Sequence, residues 1–209
     1  DPLTGLPNRR SYSQAYQKMS PTAREEKCVL FVDLDGFKLV NDSFGHTVGD
    51  QLLKHVASRI STCLDEGDLL ARQGGDEFIV LCGNRMLAQR IQAALAPPFE
   101  IGRGIGPSAG SAQDSAEIYV SASIGVVNDL ARLDAEQAAQ RADIAMYKAK
   151  EAGKDRAIIF SDEMLEGAPE RLALEADFRR ALERDEFTVV YQPKFGLHSG
   201  VTESLEALV

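Results

Sequence analysis

From residue 28 the chain runs through five consecutive apolar positions, Cys28-Val29-Leu30-Phe31-Val32, and then meets two acids split by a leucine, Asp33-Leu34-Asp35. So short and apolar a run predicts a buried strand over 28–34, with Asp33 and Asp35 on one face at its end, because strand side chains repeat every second residue. Val48, Leu52, Val56, Ile60 and Cys63 recur at four-then-three spacing and predict a helix from residue 48 with one core stripe. His55 and Arg59 fall off that stripe and read as surface. Ala138, Ala142, Ala145, Met146 and Ala149 mark a second long helix over 134–152, stopped at Gly153, whose small side chains predict close packing on a sheet. Shorter patterns predict helices over 9–19 (ended by Pro21), 37–44 and 84–95 (stopped by Pro97-Pro98), and strands over 68–72, 78–81, 118–127 and 157–160. Residues 102–117, rich in glycine and serine, read as a loop. Strands alternating with helices in this order predict an α/β (α+β) sheet layer flanked by helices.

After Phe160 the pattern changes. A charged amphipathic helix is predicted over 170–184, with Leu174, Phe178, Ala181 and Leu182 inward, and a strand over 186–194. The chain therefore divides into a domain over 1–160 and a further segment over 161–209.

At 209 residues and 44% apolar content there is material for a full core, and the formal charge of -9 argues against a nucleic-acid backbone as partner. Cys28, Cys63 and Cys82 have apolar neighbours and no ligand-like spacing, so they read as reduced core thiols. No run approaches the length of a membrane span. These features predict a cytoplasmic chain. Its start at Asp1 suggests a piece of a longer protein, with any sensor or membrane anchor upstream.

Chemistry concentrates at Gly74-Gly75-Asp76-Glu77, between two apolar runs. A glycine pair there signals a hairpin, with Asp76 and Glu77 held out at its tip. Adjacent carboxylates repel, and together with those at the end of the 28–34 strand they could supply the oxygen ligands that Mg²⁺ prefers. Taken alone, a solvated acidic turn is an equally good reading of the hairpin. Gly36, Phe37 and Lys38 open a helix just beyond the acids, where free amides favour phosphate.

Gly74-Gly75-Asp76-Glu77-Phe78 resembles the signature of the GGDEF domains, the diguanylate cyclases. Asp1-Pro2-Leu3-Thr4-Gly5-Leu6-Pro7-Asn8-Arg9, Asp33-Leu34-Asp35-Gly36-Phe37-Lys38, Asn41-Asp42 and Phe44-Gly45-His46-Thr47-Val48-Gly49-Asp50 are similar to that family's other segments, in its order. The resemblance implies a ferredoxin-like nucleotidyl-cyclase palm that joins two GTP into cyclic di-GMP with Mg²⁺ or Mn²⁺. It makes Asp33, Asp76, Glu77 and the backbone carbonyl of Leu34 the metal ligands, with Asp76 also the candidate base, and leaves Asp35 structural. Asn41 and Asp50 match the guanine-reading positions, and Lys150 and Lys154, four apart around a helix end, match the triphosphate contacts. Without the resemblance these four read as a helix cap, a helix-dipole partner and a solvated lysine face. One such site binds one GTP, so a homodimer is implied in turnover.

One departure stands out. Many diguanylate cyclases carry an inhibitory Arg-x-x-Asp before the glycine pair, whereas this chain reads Asp65-Glu66-Gly67-Asp68, so product feedback there is expected to be absent. The tail resembles the opening of an EAL domain, the cyclic di-GMP phosphodiesterase family, with Gln192 and Glu206 at matching positions. No phosphodiesterase activity is expected from so short a piece. The rival reading is a GTP-binding module that does not turn over and instead controls an attached EAL domain.

Overall fold

The computed structural model describes residues 1–102, 115–165, 184, 188–196 and 200–208. It divides into two compact units, Asp1–Ser161 and Asp162–Val209.

The first unit is built on a five-stranded mixed sheet. Strand β1 (Cys28–Asp35) lies at its centre, antiparallel to β3 (Glu77–Cys82) on one side and to β6 (Ser121–Val127) on the other. Strand β2 (Leu69–Gly74) forms the hairpin edge on β3, and β7 (Ala157–Ile159) closes the other edge parallel to β6. The predicted apolar run of β1 is buried from Cys28 to Leu34 because helices cover both faces of the sheet.

On one face, Val29, Phe31, Ile79 and Leu81 pack against α1 (Arg9–Lys18) and α6 (Ala135–Glu151). Helix α6 comes close because its contact face is alanine: a Cβ on Gly125 of β6 would stand 1.8 Å from the Ala142 carbonyl oxygen. Tyr12 and Tyr16 of α1 donate their hydroxyls to the Ala135, Leu130 and Leu133 carbonyls, tying α1 to the start of α6. On the other face, Leu30, Val32 and Leu34 pack with α3 (Phe37–Phe44), α4 (His46–Ser61) and α5 (Leu87–Leu95). The stripe Val48, Leu52, Val56, Ile60 and Cys63 is buried throughout.

Several boundaries differ from expectation, each for a local reason. Pro21 starts a helix, α2 (Pro21–Glu25), with Ser20 as its cap, since proline's missing N–H costs nothing at the first helical position. Helix α4 begins at His46, two residues before its first apolar stripe position, and α5 begins at Leu87, after Asn84 has accepted the Met86 amide. The stretch 118–127 is two elements. Strand β5 (Ser115–Ile118) pairs with an unanticipated β4 (Phe99–Gly102), and β6 follows after Tyr119-Val120. Part of the expected 102–117 loop is thus strand, and residues 103–114 lie outside the described residues. Arg59 is no bare surface residue: its guanidinium stacks 3.6 Å over the Phe99 ring and donates to the Ala94, Pro97 and Pro98 carbonyls, clasping the turn between α5 and β4.

In the second unit β8 (Val190–Phe195) and β9 (Thr202–Leu208) form an exposed antiparallel hairpin, with Gln192 directly opposite Glu206. The expected strand thus begins at Val190. Of the expected 170–184 helix, all but residue 184 falls outside the described residues.

Candidate active site

The β1–β3 register places Asp33 directly opposite Glu77, the first residue of β3. Asp33 is only 6% exposed, and Lys150, in the last turn of α6, brings its Nζ to 2.7 Å from an Asp33 carboxylate oxygen. Burial nevertheless raises the Asp33 pKa above the usual carboxylate value, with Asp76 and Asp35 pushing the same way and Lys150 opposing. Glu77 is raised as well, first by burial and then by the negative charge of Asp33, Asp143 and Asp76. Asp143, the α6 residue after Ala142, is exposed at the surface, yet partial burial of its carboxyl raises its pKa as well, with Lys150 opposing. Together these carboxylates carry more charge than one ammonium offsets.

The hairpin tip is narrower than expected. Gly74 pairs with Glu77, so only Gly75 and Asp76 form the turn and Glu77 belongs to the ladder, half-buried. Gly75 has φ of 50°, a left-handed conformation that suits glycine. Arg72 locks the turn: its Nε and Nη2 donate to the Gly75 carbonyl at 3.0 and 2.7 Å, and its Nη1 to Asp1 at 3.0 Å. The same Asp1 oxygen accepts from the amide and hydroxyl of Thr4, so the opening turn of the chain braces the hairpin. Burial lowers the Arg72 pKa, and the negative charges of Asp50 and Asp76 oppose that shift.

At the start of α3, Gly36 is left-handed, with φ of 78°, and caps the helix with no side-chain bond; the Leu39 amide donates to the Gly36 carbonyl at 2.9 Å, and the Phe37 and Lys38 amides precede the first such bond. Phe37 is buried and offers only its backbone; Lys38 is exposed. Leu34 is likewise buried, so only its main chain faces the site. Asn41 on α3 presses on α4, where a Cβ on Gly49 would stand 2.0 Å from Asn41 Oδ1. Gly49 therefore lets Asn41 seat half-buried beside exposed Asp50.

Lys150 and Lys154 are not helical neighbours. Helix α6 ends at Glu151, and Gly153 (φ 111°) turns the chain so that the Lys154 amide donates back to the Ala149 carbonyl. Lys154 and Asp155 then both take positive φ, 62° and 44°, an unusual stretch for residues with side chains. Asp35 holds it: its carboxylate accepts from the Asp155 amide at 3.1 Å and from the Ser121 and Ser123 hydroxyls at 2.7 Å each.

Three contributors escaped the sequence reading: Arg72, Gly49 and Asp143. An arginine inside an apolar strand two residues before a glycine pair was a visible signal for the first. The other two follow only from tertiary placement. At the expected inhibitory position, Asp65 pairs with Arg90 at 2.9 Å, while Asp68 accepts the Gly83 amide and pairs with Lys27. Among the described residues no three His, Cys, Asp or Glu side chains gather closely enough to hold a metal by themselves, and no helix is long and apolar enough to cross a membrane.

A mixed sheet with carboxylates at one strand end, a glycine hairpin beside them and a helix start next to both defines a mixed α/β domain with its candidate site at the end of the central strands. The chain belongs to the GGDEF family: the model described as "Diguanylate cyclase, GGDEF domain" matches residues 1–156. It is a diguanylate-cyclase-type domain of cyclic di-GMP signalling. It is 39% identical to the cyclic di-GMP phosphodiesterase PdeR of Escherichia coli, over all of this chain and 31% of that protein. It is 37% identical to the bifunctional diguanylate cyclase/cyclic di-GMP phosphodiesterase MucR of Pseudomonas aeruginosa, over all of this chain and 30% of that one. The chain thus spans under a third of the length of these relatives. Among solved structures, a truncated TpbB (YfiN) from P. aeruginosa comprising only the GGDEF domain superposes with a TM-score of 0.65 at 30% identity, covering 79% of this chain and 96% of that one.

Proposed function

We propose that this domain condenses two GTP into cyclic di-GMP and pyrophosphate. The observation that carries the reading is the cross-strand pair Asp33–Glu77, with Asp76 beside it and a cation already drawn to Asp33. Its donor set suits Mg²⁺ or Mn²⁺: hard carboxylate oxygens with raised pKa values, in a number that leaves substrate phosphates and water to complete the shell, as Mg²⁺ prefers. Asp33, Asp76, Glu77 and the Leu34 carbonyl would hold the metal, which when bound supplies charge neutralisation for the triphosphate and a lowered pKa for the attacking hydroxyl.

The remaining work falls to the chain's own residues. Asn41 and Asp50 accept and donate along the guanine edge and select GTP over ATP. The amides of Gly36, Phe37 and Lys38, with the Lys150 and Lys154 ammonium groups, orient the β- and γ-phosphates. Asp76 takes the proton of the 3′-hydroxyl as it attacks the α-phosphorus of a second GTP, held by the facing copy in a homodimer. Pyrophosphate leaves. The Asp65–Arg90 pair supports the reading that product finds no inhibitory foothold here.

The names of two relatives support a second reading. PdeR and the 35% identical NbdA of P. aeruginosa are both named cyclic di-GMP phosphodiesterases, which suits a GTP-binding domain that regulates an EAL domain opening near residue 161. Gln192 facing Glu206 is compatible with that opening. Both readings place the domain in the cytoplasm. Incubation with GTP and Mg²⁺ at high protein concentration separates them. Cyclic di-GMP formed at a rate steeper than linear in protein supports the cyclase; Mg²⁺-dependent GTP binding without product supports the regulator.

A further inference from the structure

At the end of the β1–β3 ladder opposite Asp33 and Glu77 stand two thiols. Cys28 and Cys82 are direct cross-strand partners, both free, with their Sγ atoms 3.3 Å apart. Their separation of 54 residues hides the pairing from any reading of spacing. Cys28 is the first residue of β1 and Cys82 the last of β3, so the pair is the terminal rung of the ladder, with no further rung to hold it on one side. Directly opposed strand residues keep Cβ atoms about 4.5–5.5 Å apart, and a disulfide needs about 3.5–4.5 Å, so a local tightening of the ladder end suffices.

The two thiols differ in access. Cys28, 4% exposed, lines an open depression of about 300 Å³ whose charged groups are Glu25, Glu26, Lys27 and Arg85, while Cys82 is fully buried. The Cys82 hydrogen bond lowers the Cys28 pKa most, and Lys27 and Arg85 add to this against burial and Asp68. Cys82 is shifted upward, first by the bond to Cys28 and then by burial. Cys63 lies apart, its thiol against the Arg59 and Arg90 carbonyls.

We propose that Cys28 and Cys82 are an oxidative modification site at which a peroxide converts two thiols into a disulfide. The Cys28 thiolate attacks one peroxide oxygen, the O–O bond breaks, a sulfenic acid forms, and the departing hydroxide takes up the proton the thiol had released to give water. The Cys82 sulfur then attacks the Cys28 sulfur; the S–S bond forms, the S–O bond breaks, and hydroxide leaves with the Cys82 proton as a second water. Two thiols lose two electrons and the peroxide gains them. The proposal is independent of whether the domain makes cyclic di-GMP.

The test treats the native chain with hydrogen peroxide, then denatures it, counts free thiols and maps tryptic peptides. The expected result is a fall from three free thiols to one, with peptide 28–38 joined to 73–85 and the link reversed by dithiothreitol. In Cys82→Ser the stranded Cys28 sulfenic acid is captured by dimedone, whereas Cys28→Ser leaves Cys82 unlabelled. Retention of all three thiols, a link through Cys63, or equal labelling of the two variants overturns the proposal. The wild-type peptide map decides the matter even if a serine variant folds poorly.

Discussion

The two ends of the β1–β3 ladder are built from the same backbone register and do opposite things. At one end Asp33 faces Glu77, and burial raises both pKa values while a single lysine reaches in. At the other end Cys28 faces Cys82, both buried and in contact, beside an open depression. The rungs between, from Val29 opposite Leu81 to Val32 opposite Phe78, are core. A strand whose middle is fully covered can present chemistry only where it leaves the sheet, and β1 does so at both ends. On the proposed function the charged end awaits a metal and a nucleotide; the thiol end needs neither.

The sharpest way to break this comparison is to neutralise one end at a time. Asp33→Ala or Asp76→Ala should lower cyclic di-GMP formation by about 10²–10³-fold or more, as expected for removing a group that stabilises transition-state charge. Cys82→Ser should leave turnover within about twofold, since it touches none of the candidate ligands. Chromatographic product assays on matched, folded samples check both. Unchanged turnover in Asp76→Ala sinks the metal assignment.

Next in size is the scaffold behind the charged end. Gly125→Ala would push a Cβ to 1.8 Å from the Ala142 carbonyl and 2.3 Å from the Met146 amide, both backbone atoms that cannot swing aside. A loss of about 3 kcal/mol in denaturant unfolding is expected. Gly49→Ala meets only side-chain atoms, Asn41 Oδ1 at 2.0 Å and Phe37 Cζ at 3.3 Å, so stability should fall less while the preference for GTP over ATP erodes. If the two variants lose equal stability, the Asn41 seat is not the yielding part.

How far this was legible in sequence follows from the range of the interactions. Helix 37–44 and the carboxylates at the end of β1 were readable because caps, periodicity and alternation act within a few residues. Strand β4 was not, because Phe99 and Ile101 alternate over only four residues between a proline pair and a glycine. Arg72 was missed as the brace of the hairpin because one of its partners, Asp1, lies 71 residues away, and the Cys28–Cys82 contact for a like reason. Local signals located the candidate site. What holds its residues in place is tertiary.

A smaller effect is expected where Asp35 holds the left-handed pair Lys154-Asp155. Asp35→Ala should raise the KM for GTP about tenfold with little change in kcat, the size of losing a charge-assisted hydrogen bond to the loop that presents Lys154. Asp155→Gly, which eases the left-handed turn, should recover part of the loss. A fall in kcat at constant KM would place Asp35 in the chemistry instead.

The smallest effect concerns the scaffold face, and its sign can be worked out. Tyr12 and Tyr16 are both shifted above the ordinary tyrosine value of 10.0, chiefly by burial, with Arg24 partly opposing for Tyr16. Their hydroxyls donate to carbonyl oxygens of Ala135, Leu130 and Leu133, so a phenolate would face acceptors with nothing to donate. A folded-state pKa above the unfolded one means the native chain binds its proton more tightly. The stabilisation is complete below pH about 10 and is lost as pH rises toward the folded value. Cys82 pulls in the same direction, so wild type alone does not isolate the tyrosines. Tyr12→Phe does: it should cost about 1 kcal/mol at neutral pH and make the decline between pH 10 and 11 shallower in urea unfolding followed by circular dichroism. An alkaline decline as steep in Tyr12→Phe as in wild type would shift the cause from Tyr12 to Tyr16 or to the Cys82 thiol.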